Sequence, residues 1–117
     1  FESATRPWGA WYVLDEGEGY KVKRIEVLPG RRLSYQTHEL RSEHWYVVAG
    51  TATCILDGDT FVVPAGASMQ VPAGAAHRIA NLTEEGLVLI EVQRGGYLEE
   101  DDVVRLQDDY GRSYAED

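Results

Sequence analysis

Turn-forming residues break this chain at close intervals: DEGEG at 15–19, Pro29-Gly30, Gly50, Asp57-Gly58, PAG at 64–66 and PAG again at 72–74. Each is a place where glycine, proline or aspartate lets the backbone reverse. The runs between them read as strands: Trp11–Leu14, Tyr20–Leu28, 32–38, 43–49, 51–56, Thr60–Val63, Ser68–Val71, His77–Asn81 and Leu87–Gln93. None carries a sustained helical period. Many short strands with regular turn signals predict an all-β sandwich or barrel in one domain. Asp57-Gly58 is expected to make a tight hairpin. Residues 1–9, broken by Pro7 and Gly9, are expected to form an N-terminal arm in which Trp8 needs burial. The acidic stretch 97–117 is expected to add at most a short helix or an edge segment within 97–112.

Composition removes several classes of function. A 117-residue chain that is 44% hydrophobic and 26% charged is globular rather than disordered, and no apolar run approaches the ~20 residues of a membrane-spanning helix. The net charge of −9 argues against nucleic acid or an anionic membrane as partner. The cations nevertheless gather in Lys21, Lys23, Arg24, Arg31, Arg32, Arg41 and Arg78, leaving room for a small anionic ligand. A single cysteine, Cys54, allows no intrachain disulfide and reads as a small buried hydrophobe in TATCILDG, so a reducing cytoplasm is expected. FESATRPWG shows no secretory leader and no initiator Met, and the chain is expected to be trimmed or part of something longer.

Two stretches concentrate groups able to hold a metal. Gly30–Gly50 contains Gln36, His38 and Glu43, and Gly66–Asn81 contains His77. Residues two apart on a strand share a face, so Gln36 and His38 converge, and a short turn can return Glu43 to them. Two imidazoles, a carboxylate and an amide oxygen suit a borderline divalent ion.

The spacing Gly30-x5-Gln36-x-His38-x4-Glu43-x6-Gly50, followed by Gly66-x5-Pro72-x-Gly74-x2-His77-x3-Asn81, resembles the paired motifs of the cupin superfamily. Cupins usually have histidine where this chain has Gln36, and the Gln-x-His pair is similar to that of phosphomannose isomerases. RPWG at 6–9, EGYKVKRIEVLPG at 18–30, RSEHW at 41–45, PAGAAHRIAN at 72–81 and EVQRGGYLEEDDVVRLQDDYGR at 91–112 resemble the type II enzymes, found as the C-terminal domain of bifunctional guanylyltransferase/isomerases. The likeness spans residues 6 to 112. It implies a double-stranded β-helix, the jelly-roll cupin barrel, whose two sides are the two motif halves. It also implies one divalent metal on Gln36, His38, Glu43 and His77, with zinc first and manganese, nickel or cobalt as alternatives. A homodimer is the corresponding family expectation.

The resemblance also assigns roles. Arg41, two residues before Glu43, is the expected group for a phosphate or for the oxygen that becomes negative during enolisation. Arg78, next to His77, and Lys23, on the parity of Ile25 and Val27, are the expected substrate-binding cations, although alternation turns Arg78 away from His77. His44 falls on the outward face. Trp8, Trp11, Tyr12, Trp45 and Tyr97 are read as core or interface, Asn81-Leu82-Thr83 as a chance match to a glycosylation acceptor, and Glu99–Asp102 as a solvated end. The activity implied is a metal-dependent isomerase interconverting mannose 6-phosphate and fructose 6-phosphate. The type II enzymes often carry further histidines after the Gln-x-His pair, where this chain has Glu39 and Leu40. A non-catalytic metal- and sugar-binding module, or another small metal-dependent cupin enzyme such as an oxygenase, are the rival readings.

Overall fold

In a computed structural model that describes residues 2–111, eleven strands make two facing antiparallel sheets, with no helix among the described residues. The strands are β1 Ser3–Arg6, β2 Gly9–Gly17, β3 Tyr20–Val27, β4 Tyr35–Thr37, β5 Arg41–Ala49, β6 Thr51–Leu56, β7 Asp59–Pro64, β8 Ser68–Val71, β9 His77–Ala80, β10 Leu87–Gly95 and β11 Val104–Gln107. One sheet runs β1-β2-β3-β10-β5-β8 and the other β11-β4-β9-β6-β7. Strands distant in sequence are neighbours in both sheets, which is the crossing of a double-stranded β-helix.

Most of the expected strands are present, with physical reasons for the differences. Residues 3–6 are not a loose arm. They pair with β2, Ser3 opposite Tyr12 and Arg6 opposite Gly9, and so bring Trp8 fully out of water. The acids at 15–17 extend β2 past a register shift after Val13, leaving Glu18-Gly19 as the turn. The strand expected over 32–38 shrinks to Tyr35–Thr37, with Arg32 making one isolated bridge to Ala80. Asp57 and Gly58, both at positive φ (47° and 86°), form the predicted hairpin turn. The acidic tail supplies an edge strand, β11 on β4, rather than a helix. Its residues 112–117 lie outside the described part.

The interior divides along the barrel axis, as three adjacent strands show. On β10 the inward residues are Leu87, Leu89, Glu91 and Gln93; on β3 they are Val27, Ile25, Lys23 and Lys21; on β5 they are Val47, Trp45, Glu43 and Arg41. Register places like beside like: Leu89 faces Ile25 and Val47, Glu91 faces Lys23, and Gln93 faces Glu43. All twelve are buried. One end of the barrel is therefore an ordinary apolar core, held by burial at roughly 25 cal/mol per Å². The other is a buried polar chamber, which is costly to fold unless its groups satisfy one another.

Candidate metal centre

At the polar end, Gln36 on β4 faces His77 at the start of β9, while Glu43 and Arg41 enter from β5 in the opposite sheet. The two turns that carry the motifs are tied together by the Gly74 N–H, which donates to the His38 carbonyl at 2.7 Å. His38, Glu43 and His77 are each buried, and one ligating atom from each lies within 4.8 Å of the others. The imidazoles sit 4.8 Å apart between ring centres, and Trp45 packs edge-on against His77 at 5.5 Å.

The tautomers follow from the partners. His38 Nδ1 lies 2.6 Å from the Asp102 carbonyl and His77 Nδ1 lies 2.9 Å from the Ala75 carbonyl. A carbonyl only accepts, so both Nδ1 atoms donate, and in the neutral ring each Nε2 presents a lone pair. Those lone pairs point toward Glu43, at 3.4 Å from Oε2 for His38 and 3.8 Å from Oε1 for His77. His77 Nε2 is buried with no hydrogen-bond partner among the described residues. Two imidazole lone pairs aimed at a carboxylate, each fixed from behind by a carbonyl, are the donor set and outer support that a divalent cation requires.

A resident cation already stands beside that set. Arg41 Nε donates to Glu43 Oε2 at 2.8 Å and Nη2 lies 3.2 Å from His38 Nε2, while Nη1 is buried without a partner among the described residues. Trp45 Nε1 donates to the other Glu43 oxygen at 3.0 Å. Burial alone would raise the Glu43 pKa, but Arg41, then His38 and His77, hold it down to about 2. Burial lowers the His38 pKa and keeps that ring neutral, as a ligand must be. Gln36 turns its amide nitrogen toward His38 Nε2 at 3.4 Å and accepts from the Ser34 hydroxyl at 2.7 Å through Oε1. A half-turn of the amide presents the oxygen instead, with the hydroxyl accepting.

The remaining expected residues divide. Lys23 is 3% exposed, lines the same cavity as Arg41, Glu43 and His77, holds its Nζ 4.2 Å over the Trp11 ring, and is bonded to Glu100. Arg78 touches the cavity wall, yet its guanidinium is not among the ligand groups. It donates to the Leu33 carbonyl at 2.8 Å and to Gln107 at 3.1 and 3.2 Å, which engages three of its five N–H groups. His44 is exposed on the outer face, and Cys54 is buried, with desolvation pushing its thiol up to about 12. Asn81 is wholly buried and donates to the Val27 and Glu85 carbonyls, which leaves no accessible amide for a glycan.

Three features escaped the sequence reading. Glu91 and Gln93 lie buried in the chamber, and burial, then the Glu43 charge, pushes Glu91 up to about 8. The signal was the parity of LVLIEVQ: Leu87 and Leu89 face inward, so Glu91 and Gln93 must as well. Second, no role was read for Lys21, although its parity with Lys23, Ile25 and Val27 is legible and it is buried beside Lys23. Third, the acids at 99–102 are not merely a solvated end. Glu100 reaches Lys23, and the Asp102 carboxylate accepts from the backbone of Glu39 and Leu40 at 3.1 and 2.9 Å.

Nearly the whole chain has known relatives. Residues 1–108 match the family described as mannose-6-phosphate isomerase C-terminal. The chain is 52% identical over 107 residues to a mannose-1-phosphate guanylyltransferase of Escherichia coli, and 48% identical over 108 residues to the alginate biosynthesis protein AlgA of Pseudomonas aeruginosa. Each match covers 92% of this chain but only 22% of the relative, so the chain spans about a fifth of their length. Among solved structures, an oxalate decarboxylase of Lactobacillus farciminis superposes with TM-score 0.77 at 22% identity, over 90% of this chain and 33% of that one. The Cnp3 cupin domain of Schizosaccharomyces pombe gives 0.71 at 16%, over 74% and 64%. These two likenesses are of fold alone, that of the cupin double-stranded β-helix. With the match extending over nearly all of its length, the chain belongs to the family of mannose-6-phosphate isomerase C-terminal domains.

Proposed function

We propose that this domain is a metal-dependent aldose–ketose isomerase acting on a sugar phosphate, interconverting mannose 6-phosphate and fructose 6-phosphate. The observation that carries the reading is the meeting, in one buried chamber, of the His38, Glu43 and His77 donor set with three further ionisable groups, Arg41, Glu91 and Lys23. His38, Glu43 and His77, with Gln36 after its amide turns, would hold one divalent ion, zinc first and manganese, nickel or cobalt as alternatives. Such an ion supplies polarisation of the carbonyl and hydroxyl oxygens at the reacting carbons.

The chain's own residues account for the rest. Isomerisation moves a proton between C2 and C1 while a proton also changes oxygens. Glu91 is the chamber's carboxylate outside the donor set, and a pKa raised to about 8 suits a group that must both take and return a proton near neutrality. Arg41 Nη1, buried and unpartnered, offers a donor to the oxygen that gains charge at the enediol stage. Lys23, on the cavity wall, would hold the phosphate. Association into a homodimer, testable by light scattering, belongs to the same proposal.

A second reading, a non-catalytic binding module, draws support from the size of the cavity. The chamber has a volume of only about 20 Å³, room for a water or an ion and not a hexose. The experiment is production of fructose 6-phosphate from mannose 6-phosphate by protein reconstituted with zinc, manganese, nickel or cobalt. Metal bound in full with no turnover would leave the binding module standing and end the isomerase reading.

A further inference from the structure

A short segment of main chain is fastened at the polar end of the barrel, and its fastenings are unlike core packing. After β10 the chain crosses the polar mouth as Gly96–Asp102. The Leu98 carbonyl accepts from Lys21 Nζ at 3.0 Å, Glu100 is bonded to Lys23 Nζ, the Asp102 carbonyl accepts from His38, and the Asp102 carboxylate holds the Glu39 and Leu40 amides. Tyr97, Glu99 and Asp101 between these points are exposed. The hinge is equally defined. Gly95 is pinned, its N–H donating to the Gly19 carbonyl at 3.1 Å and an added Cβ falling 2.2 Å from the Leu40 carbonyl oxygen. At Gly96 an added Cβ would meet nothing within 4 Å.

We propose that Lys23, with Lys21 beside it on β3, is an anion seat for a phosphate monoester, and that Glu100 is a built-in stand-in for that phosphate, fastening Gly96–Asp102 across the mouth as a strap. The inference rests on the isomerase reading for the identity of the ligand, and adds how that ligand gets in.

Two lysines 5% and 3% exposed on the inward face of one strand are unusual, since lysine is almost never buried without an anionic partner. Lys23 has one in Glu100. Lys21 has a backbone carbonyl and, at 3.9 Å, the Glu16 carboxylate, so its charge is only loosely matched. Glu100 spans the boundary, with its side chain 19% exposed. It is therefore the Lys23 partner that a solute can replace. A phosphate carries about −1.5 to −2 charge near neutrality and three acceptor oxygens, enough to serve both lysines where the carboxylate serves one. Displacing Glu100 releases one fastening directly, and taking Lys21 from Leu98 releases a second. The segment then swings from Gly96 and uncovers Lys21 and Lys23 at the polar end of the barrel. Because Glu100 is tethered, it competes at an effective concentration of order millimolar, setting a threshold below which the mouth stays shut.

The test uses inorganic phosphate as probe, with the metal-free chain at fixed ionic strength. Calorimetry should show phosphate binding at least tenfold tighter in Glu100→Gln than in the natural chain. Hydrogen exchange should show the Glu39, Leu40 and Asp102 amides speeding up when the natural chain is saturated with phosphate, and already fast in Glu100→Gln without it. Lys23→Met, confirmed folded by its thermal transition, should lose phosphate binding at least tenfold. The exchange result on the natural chain stands even where that variant does not fold. Phosphate affinity unchanged within twofold in Glu100→Gln, or exchange at Glu39 and Leu40 indifferent to phosphate, would overturn the proposal. The outcome is separable from catalysis: strap release without mannose 6-phosphate turnover retires the isomerase and keeps the seat, and turnover with unchanged phosphate affinity does the reverse.

Discussion

Replacing Arg41 by methionine removes the cation that neutralises Glu43 in a place where both are about 4–5% exposed. A buried pair broken from one side typically costs about 3–5 kcal/mol, because the surviving charge is left without compensation. The Trp45 indole still donates to Glu43 Oε1 at 3.0 Å, which puts the expectation near the lower bound, ~3 kcal/mol. At ~4 °C per kcal/mol for a domain of this size, the unfolding midpoint should drop by roughly 12 °C in metal-free buffer. Glu43, no longer held down by Arg41, should also become protonated closer to neutrality, so the loss should shrink below pH 5. A divalent ion reverses the argument. In the natural chain zinc has to turn Arg41 Nη2 away from His38 Nε2, 3.2 Å distant; in Arg41→Met that competitor is gone and Glu43 awaits a cation. At a hundredfold excess over its dissociation constant a ligand contributes about 2.7 kcal/mol, enough to recover most of the midpoint. Differential scanning calorimetry with and without zinc, on the natural chain, Arg41→Met and Arg41→Met/Glu43→Gln, reads all of this. The double variant should be more stable than Arg41→Met without metal and indifferent to zinc. An Arg41→Met midpoint within ~4 °C of the natural chain, or zinc stabilising the natural chain more than the variant, would refute the reasoning.

His77→Ala should lose metal on dialysis and any isomerase activity, whereas His44→Ala, altered on the exposed face, should keep both; atomic absorption and the fructose 6-phosphate assay check this, and the reverse pattern would displace His77 from the donor set. Glu91 gives a pH signature. Its folded pKa is raised from an ordinary 4.5 to about 8, so it takes stability away progressively as pH rises from about 4.5 through about 8. The gain in stability of Glu91→Gln over the natural chain should therefore grow between pH 5 and 8.5, by an order of 1.4 kcal/mol per pKa unit; parallel urea midpoints across that range would contradict the burial of an ionisable group there. Gly50→Ala, at φ 81° with its added Cβ 2.5 Å from the Gly86 carbonyl oxygen, should cost more than the ~1–2 kcal/mol of left-handed strain alone, measured by chemical denaturation.

The parts of the molecule that were legible in the sequence are those governed by local chemistry. Asp57-Gly58 had to turn, Gln36 and His38 had to share a face, and Lys23 had to follow Ile25 and Val27 inward. What could not be read was set by pairing between distant segments. Nothing local to Ser3–Arg6 says that β2 has an edge for it. Arg78 obeys strand alternation by facing away from His77, but only β11 and the Leu33 carbonyl reveal that its outward course ends in another buried set of acceptors. Glu99–Asp102 carries every sign of a solvated end, and its docking depends on lysines some eighty residues earlier. Glu91 and Gln93 were readable by parity and were obscured because LVLIEVQ looks like plain core.

The division of the barrel into an oily half and an ionic half separates two kinds of selective pressure in space. Changes around Leu87, Leu89, Val27 and Val47 alter how firmly the chain folds and leave the ionisable groups alone. Changes at Lys21, Lys23, Arg41, Glu43 and Glu91, further along the same three strands, alter the ionisable set, and can even make the fold firmer by removing charge from its interior. A scaffold built this way can exchange one set of reactive side chains for another while its foundation stays as it was.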